Sequence, residues 1–505
     1  MGLFDRIVTS HPKVTDFIFT KSPSSMPRKK GQKKALAIFK RAAVEVPAYQ
    51  DFLKSHHLDP ATIETFDDFV NKVPLMDKNN YLNKYDLAKR CLGGTMADKY
   101  SVDRSSGYQG TPYFWPVYRG QRDTTPAYLE YLGYKFGWFA KDTPTLVIIN
   151  LGLGLWVAGV LCVRGYGEIA NKGHFPITVV APGVDTEATV EVIKKLGPNY
   201  KKILMVAYPP LAKVVLEEGK RQGIDWKKYK VSLFVGGEGH SENWRDYIAD
   251  LLGFKVKGAG LQRIISIFGG ADFGGIGGYE TPLAVKIRRL AQDDDALAKA
   301  LFGHSDRLPQ LFHYSPASNF IEEVNHELVF TTLSGCPVVR YNVHDVGGVI
   351  LFEKAVKILQ EAGYNIKQIM EQEGYPEKTH LPLDFNYVFG RNDGTITVYG
   401  ANIFVENIKE ALAHKDLGKS FSGAFKLETK YTKAQNQQWW LTLETAPGVK
   451  DSQLLHQKTL KIITESLACQ NSEYRKLWET QGAKVAPHLI IKEKILQAGD
   501  KFKYI

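Results

Sequence analysis

The chain has 505 residues, 44% hydrophobic and 24% charged, which excludes a disordered or fibrous protein and allows a large core and more than one domain. Sixty-five Lys and Arg against 54 Asp and Glu leave a net charge of +11, a balance that favours anionic ligands such as nucleotides and coenzyme phosphates. Nucleic acid is not an expected partner. The basic residues are dispersed apart from Arg28, Lys29, Lys30, Lys33 and Lys34, and no aromatic-basic recognition module occurs. Cys91, Cys162, Cys336 and Cys469 form no CxxC pair and no zinc spacing, and they read as reduced thiols of a cytoplasmic protein. The N-terminal MGLFDR carries neither the Ser/Thr of a myristoylation signal nor the start of an apolar leader.

In chain order, residues 27–60 read as helical, with Ala35, Ile38, Phe39, Ala42 and Ala43 at helical spacing behind a basic face. A loop-rich stretch and Val73-Pro74-Leu75-Met76-Asp77-Lys78 lead to SVDRSSGYQGTPYFWP at 101–116, where Ser105, Ser106, Gly107 and Gly110 can turn successive N–H groups toward one anion. The aromatic far side of this loop predicts a strand-to-strand connection, and the missing GKS/GKT ending excludes a P-loop. The uncharged run 145–163 nearly reaches membrane-spanning length, but Asn150, Gly152 and Gly154 divide it into a strand, a glycine loop and the start of a helix. No membrane span is expected.

From about 124 to 286, strands are predicted at 145–149, 177–180, 203–206, 231–235 and 264–268, with helices such as 187–196 and 210–222 between them. That rhythm predicts an α/β fold with a mostly parallel, helix-flanked sheet, in which ligands bind beyond the carboxyl ends of the strands. The loops of interest are therefore 151–154, 207–210, Gly236-Gly237-Glu238-Gly239 and 269–275, which contains Asp272. Gly152-Leu153-Gly154 fails as a dinucleotide fingerprint, because the third glycine is misplaced and no ribose-binding acid follows. Beyond residue 311 the chain turns strand-rich, with strands at 320–323, 327–332, 338–341 and 347–352. A polar joint at 389–394 then leads to a mixed region with strands at 396–399, 439–444 and 488–491 around two helices. The expected organisation is a large N-terminal domain, 1–390, with a strand-rich subdomain, and a small α+β C-terminal domain, 391–505.

Four signatures occur in one order. SSGYQGTP resembles SSGTTGKP of the adenylate-forming enzymes, FGGAD their YGxTE, VVRYNVHD their RYRTGD, and FGRNDGTITVYGANIF their GRxDDxIxxxGxNIxP. The chain is most similar to the phenylacetate–CoA ligase group, and the resemblance runs from about Val73 to the C-terminus. It implies that a carboxylic acid and ATP give an acyl-adenylate and pyrophosphate. Coenzyme A would then take the acyl group, with an amine or a carrier-protein thiol as the alternative acceptor.

The resemblance also implies roles. Ser105, Ser106, Gly107 and Gly110 would hold phosphates, Gly237 and Glu238 would line the adenine pocket, and Asp345 would accept from both ribose hydroxyls. Asp272 would be the Mg²⁺-linked acid, Arg391 would contact the nucleotide, and Asp393 would be the hinge between the domains. Near the C-terminus a mobile lysine would meet the substrate carboxylate and the α-phosphate. Lys501 is preferred over Lys503, because Gly499-Asp500 gives a flexible approach and Phe502 an anchor. Trp156, Tyr208 and Phe273 suit an acyl pocket for an aryl or apolar acid, and suit a core equally well.

The chain departs from the pattern at Tyr108, Gln109, Thr111 in place of the loop lysine, Ala271, and His344 in place of the small Gly before Asp345. These leave open an active divergent enzyme or a nucleotide-binding protein with little turnover. The retained Asp272, Asp345 and hinge favour activity. The identity of the acid and the oligomeric state are not legible.

Overall fold

A computed structural model describes residues 11–105, 113–118, 124–304, 308–376, 380–391, 394–414, 416–417 and 420–493. Strands β1 (Ser101–Arg104) and β2 (Phe114–Val117) pair antiparallel, with Arg104 opposite Phe114, so the Gly/Ser stretch does join two strands.

Five apolar runs form the parallel half of the main sheet: β3 (Thr145–Asn150), β4 (Ile177–Val180), β5 (Lys202–Ala207), β6 (Lys230–Gly236) and β7 (Ile264–Gly270). They lie in the order β4-β3-β5-β6-β7 with all pairs parallel. Continuous apolar sequence fits strands covered on both faces. Val147, Ile149, Leu204 and Val206 enter one core, and Leu146, Ile148, Ile203 and Met205 enter the core on the opposite face. Helices Val157–Lys172, Thr186–Leu196, Pro209–Arg221 and Glu242–Leu251 make the connections. The run 145–163 becomes β3, a loop and the start of a helix, and among the described residues no helix is long and apolar enough to cross a membrane.

The sheet continues antiparallel through β8 (Gly275–Tyr279), β9 (Gln310–His313), β10 (Phe320–Val324), β11 (Glu327–Thr332), β12 (Val338–Ile350) and β13 (Phe385–Arg391). The full order is β10-β11-β12-β13-β9-β8-β7-β6-β5-β3-β4. The fold class expected from the sequence is therefore present. Three local expectations are corrected. The helical stretch 27–60 is two helices, Ser25–Glu45 and Pro47–Ser55, because Val46 precedes a proline and stays extended. Strands 338–341 and 347–352 are one strand ending at Ile350, since the polar stretch between them bends at left-handed His344 but is held to β11 on either side, Asn342 opposite Val329 and Val346 opposite Glu327. Phe352, expected to close the strand 347–352, instead opens a helix, Phe352–Glu361, with Asp384 Oδ1 accepting from its N–H at 2.9 Å.

Beyond Arg391, β14 (Ile396–Val398) and β15 (Ala401–Ile403) form a hairpin. β16 (Phe421–Tyr431), β17 (Gln437–Thr445) and β18 (His488–Lys492) form a sheet, antiparallel then parallel. Helices Gln453–Gln470 and Ser472–Gln481 cover it around a separate core that includes Trp439, Leu441, Ile463, Leu467 and Tyr474.

Candidate active site

The loops singled out from the sequence gather at the carboxyl ends of β3, β5, β6 and β7. After β6 the chain turns through Gly237 at φ +83, where a β-carbon would lie 2.8 Å from the Tyr208 ring. Gly400, at φ +87, also meets that ring: a β-carbon there would approach it to 2.5 Å. Both positions need glycine, for conformation and for space. Glu238 is half-buried and accepts hydrogen bonds from the Gly400 N–H and from Gln437 Nε2. Burial pushes its carboxyl up to about 7.

A buried ionic network backs this loop. Arg245 bonds Glu242 at 2.9 Å and Glu280 at 2.7 Å, and Arg288 bonds Glu242 at 2.7 Å. His240 closes the loop, with Nε2 2.7 Å from Ser266 Oγ and its carbonyl accepting from Gln310 Nε2 at 2.6 Å and from Arg288. Burial opposes ionisation of Glu242, but Arg245 and Arg288 outweigh it and hold the carboxyl down at about 2.

Asp272 lies in the β7–β8 turn, where its Oδ2 accepts from the Tyr341 hydroxyl at 3.1 Å and stands 3.7 Å from Lys78 Nζ. Lys78 is buried and its ammonium is 6.0 Å from the centre of the Tyr113 ring, beside the closure of the Gly/Ser hairpin by Ser105 N–H to the Tyr113 carbonyl at 3.0 Å. Sequence reasoning missed Lys78 as a site residue. Its place depends on a long-range contact, in which Met76 pairs with Tyr341 and Asp77 caps the helical turn Lys78–Leu82. The local signal was a lysine just inside an Asp-x-x-Asn capping box, Asp77 to Asn80, that closes an apolar run.

Asp345 and Arg391 share one rung between β12 and β13, so the expected ribose carboxylate and hinge arginine are brought together. Trp156 and Tyr208 converge on Gly152: a β-carbon there would be 2.9 Å from Trp156, and the Tyr208 hydroxyl bonds the Gly152 backbone. Arg104 packs 5.4 Å over the Trp156 ring and donates to Ser472 Oγ at 3.2 Å. Phe273 stands apart from that pair, buried and stacked on Phe330 at 4.0 Å. Ser106, Gly107, Gly110, Asp393, Lys501 and Lys503 lie outside the described residues. Among the described residues no group of three or more His, Cys, Asp or Glu could hold a metal ion. Asp272 fits the magnesium mode in which one carboxylate joins phosphate oxygens and water, not an all-protein cage.

A solved 2-hydroxyisobutyryl-CoA ligase, in complex with 2-HIB-AMP and CoA in the thioesterification state, matches with a TM-score of 0.61 at 14% identity, covering 95% of this chain and 90% of that chain. The same ligase in its postadenylation state with 2-HIB-AMP matches at 0.52 and 15% identity, over 95% of this chain and 90% of that one. Its open conformation matches at 0.51 and 13%, over 95% and 92%. The chain shares the fold of that ligase. No family model matches the sequence, and no curated protein matches it.

Proposed function

We propose that the protein activates a carboxylic acid with ATP to an acyl-adenylate and passes the acyl group to coenzyme A, in the manner of the phenylacetate–CoA ligase group. An amine or a carrier-protein thiol is the alternative acceptor, and the setting is cytoplasmic. The observation that carries this reading is the gathering of Gly237-Glu238, Asp272 with Lys78, and Asp345 with Arg391 on one sheet of this fold. In the first step a carboxylate oxygen attacks the α-phosphorus and pyrophosphate leaves. In the second, a thiolate attacks the acyl carbon and AMP leaves. Asp345 would accept from the ribose hydroxyls, and Lys78 supplies the cation that the Gly/Ser loop lacks at Thr111. Mg²⁺, held by Asp272, would neutralise phosphate charge. Trp156 and Tyr208 would face an aryl or apolar acyl group, and Phe273, stacked on Phe330 away from them, is left out of that pocket.

The domain boundary is proposed at 391–393, with 1–390 and 391–505 rotating about Asp393 between the two steps. Lys501→Ala should slow adenylation about a hundredfold while sparing thioester formation from a supplied acyl-adenylate, and Asp393→Pro should do the reverse. A panel of carboxylic acids in a pyrophosphate-release assay, with and without coenzyme A, tests the class. Pyrophosphate should appear only with ATP, Mg²⁺ and acid together. Tight, salt-sensitive nucleic-acid binding without ATP chemistry would contradict the reading.

A further inference from the structure

Strand β12 carries two non-glycine residues in the left-handed region, Arg340 at φ +48 and His344 at φ +61. A β-carbon disfavours that conformation, and such residues persist where surrounding contacts over-determine them. Both use a nitrogen-bearing side chain in the same way. Arg340 donates to the Val73 carbonyl at 2.6 Å and pairs with Glu322 of β10 at 3.2 Å. His344 sits with Nε2 3.7 Å from Asp77 and Nδ1 3.3 Å from Glu327 of β11. The segment 73–77 is thus clipped to β12 at both ends, and Met76 fills the middle, donating to the Arg340 carbonyl and accepting from Asn342 N–H.

The next residue on each side of the second clip is one the reaction uses. Asp77 precedes Lys78, which stands against Asp272, and His344 precedes Asp345. We propose that His344 is a positioning residue: by bridging Asp77 and Glu327, its imidazolium fixes the phosphate-side cation Lys78 relative to the ribose carboxylate Asp345. This rests on the function proposed above. The charged groups facing His344 are Asp77 from the loop and Glu327 from β11, with Lys78 and Asp345 next in line. On its own strand, Asn342 Oδ1 accepts the His344 N–H at 2.8 Å while its amide donates to Glu327 at 2.6 Å. The Asp77 carboxylate raises the imidazole above its ordinary value, although burial opposes it. The bridge is therefore complete at low pH and is lost as pH rises through that raised value.

The test is ATP affinity by calorimetry from about pH 6 to about pH 9 in the wild type, His344→Gln and His344→Arg, each first checked for a cooperative thermal transition. Wild-type affinity should weaken about fivefold to tenfold with rising pH, His344→Gln should be weak throughout, and His344→Arg, which keeps a cation, tight throughout. In ligand-free protein the His344 proton resonance should titrate above the ordinary range, and lower in Asp77→Asn. If wild type binds ATP but His344→Gln keeps its affinity and pH profile, or the resonance is unmoved by Asp77→Asn, this inference is overturned and the proposed function stands. If wild type binds no ATP, both fall.

Discussion

Glu238 and Glu242 are four residues apart, yet their surroundings drive them in opposite directions. Glu238, half-buried, meets a backbone N–H and a side-chain amide, both neutral, and is pushed up to about 7. Glu242 is sealed against Arg245 and Arg288 and is held at about 2. Burial acts on both, and the presence of a formal positive partner decides the outcome. The core side of the loop is thereby locked in one charge state, while the side facing Tyr208 and the β14–β15 hairpin keeps a carboxyl that titrates near neutrality.

The strongest way to break this contrast is to remove the charge behind Glu242. Arg245→Ala leaves two buried carboxylates, Glu242 and Glu280, short of their partner, and should cost about 3–5 kcal/mol in denaturant unfolding. A loss below about 1 kcal/mol would show that the network does not hold the loop. Lys78→Ala strips the opposite end of the site of its cation and should slow adenylation about a hundredfold in a pyrophosphate-release assay. Asp345→Ala should weaken ATP about tenfold or more, since it deletes charged hydrogen bonds to ribose without touching the core. Unchanged affinity in the folded variant would remove Asp345 from the ribose.

Glu238→Gln sharpens the comparison most finely. A carboxyl raised from its ordinary 4.5 to about 7 in the fold makes stability decline as pH rises from 4.5 toward 7, because the unfolded chain releases its proton first. The substitution should erase that slope and leave the variant about 1–2 kcal/mol more stable than wild type at alkaline pH, a figure reduced because Glu238 is only half-buried. Glu242 has the reverse sign: its contribution is present above 4.5 and is lost as pH falls toward about 2.

What the sequence revealed follows from how local each signal is. The apolar runs at β3, β5, β6 and β7 were legible because strands buried on both faces need no partner to be recognised. Strand β8, GIGGY, was not, since glycine predicts turns and its place depends on pairing with β7. Strand β13 was missed altogether, since its end, Gly390 and Arg391, reads as a polar joint although it pairs with Val346 and Asp345. The loops bearing Glu238 and Asp272 were singled out from the strand rhythm, and Asp345, which lies within β12, from its motif. Lys78 was not found as a site residue, since it reaches Asp272 only through the pairing of Met76 with Tyr341. The capping of Glu238 by Gly400 and Gln437 joins residues 162 and 199 positions apart, which no local pattern encodes.

The proposed chemistry stands or falls on whether the protein makes an acyl-adenylate. Its most direct test is to incubate the protein with ATP, Mg²⁺ and each of a panel of carboxylic acids without coenzyme A, and to quantify enzyme-bound acyl-AMP by mass spectrometry alongside pyrophosphate. Acyl-AMP and pyrophosphate should appear in equal amounts with at least one acid, and be lost together in Lys78→Ala. Nucleotide cleavage to ADP and phosphate, or no acyl-AMP with any acid despite tight ATP binding, would contradict it.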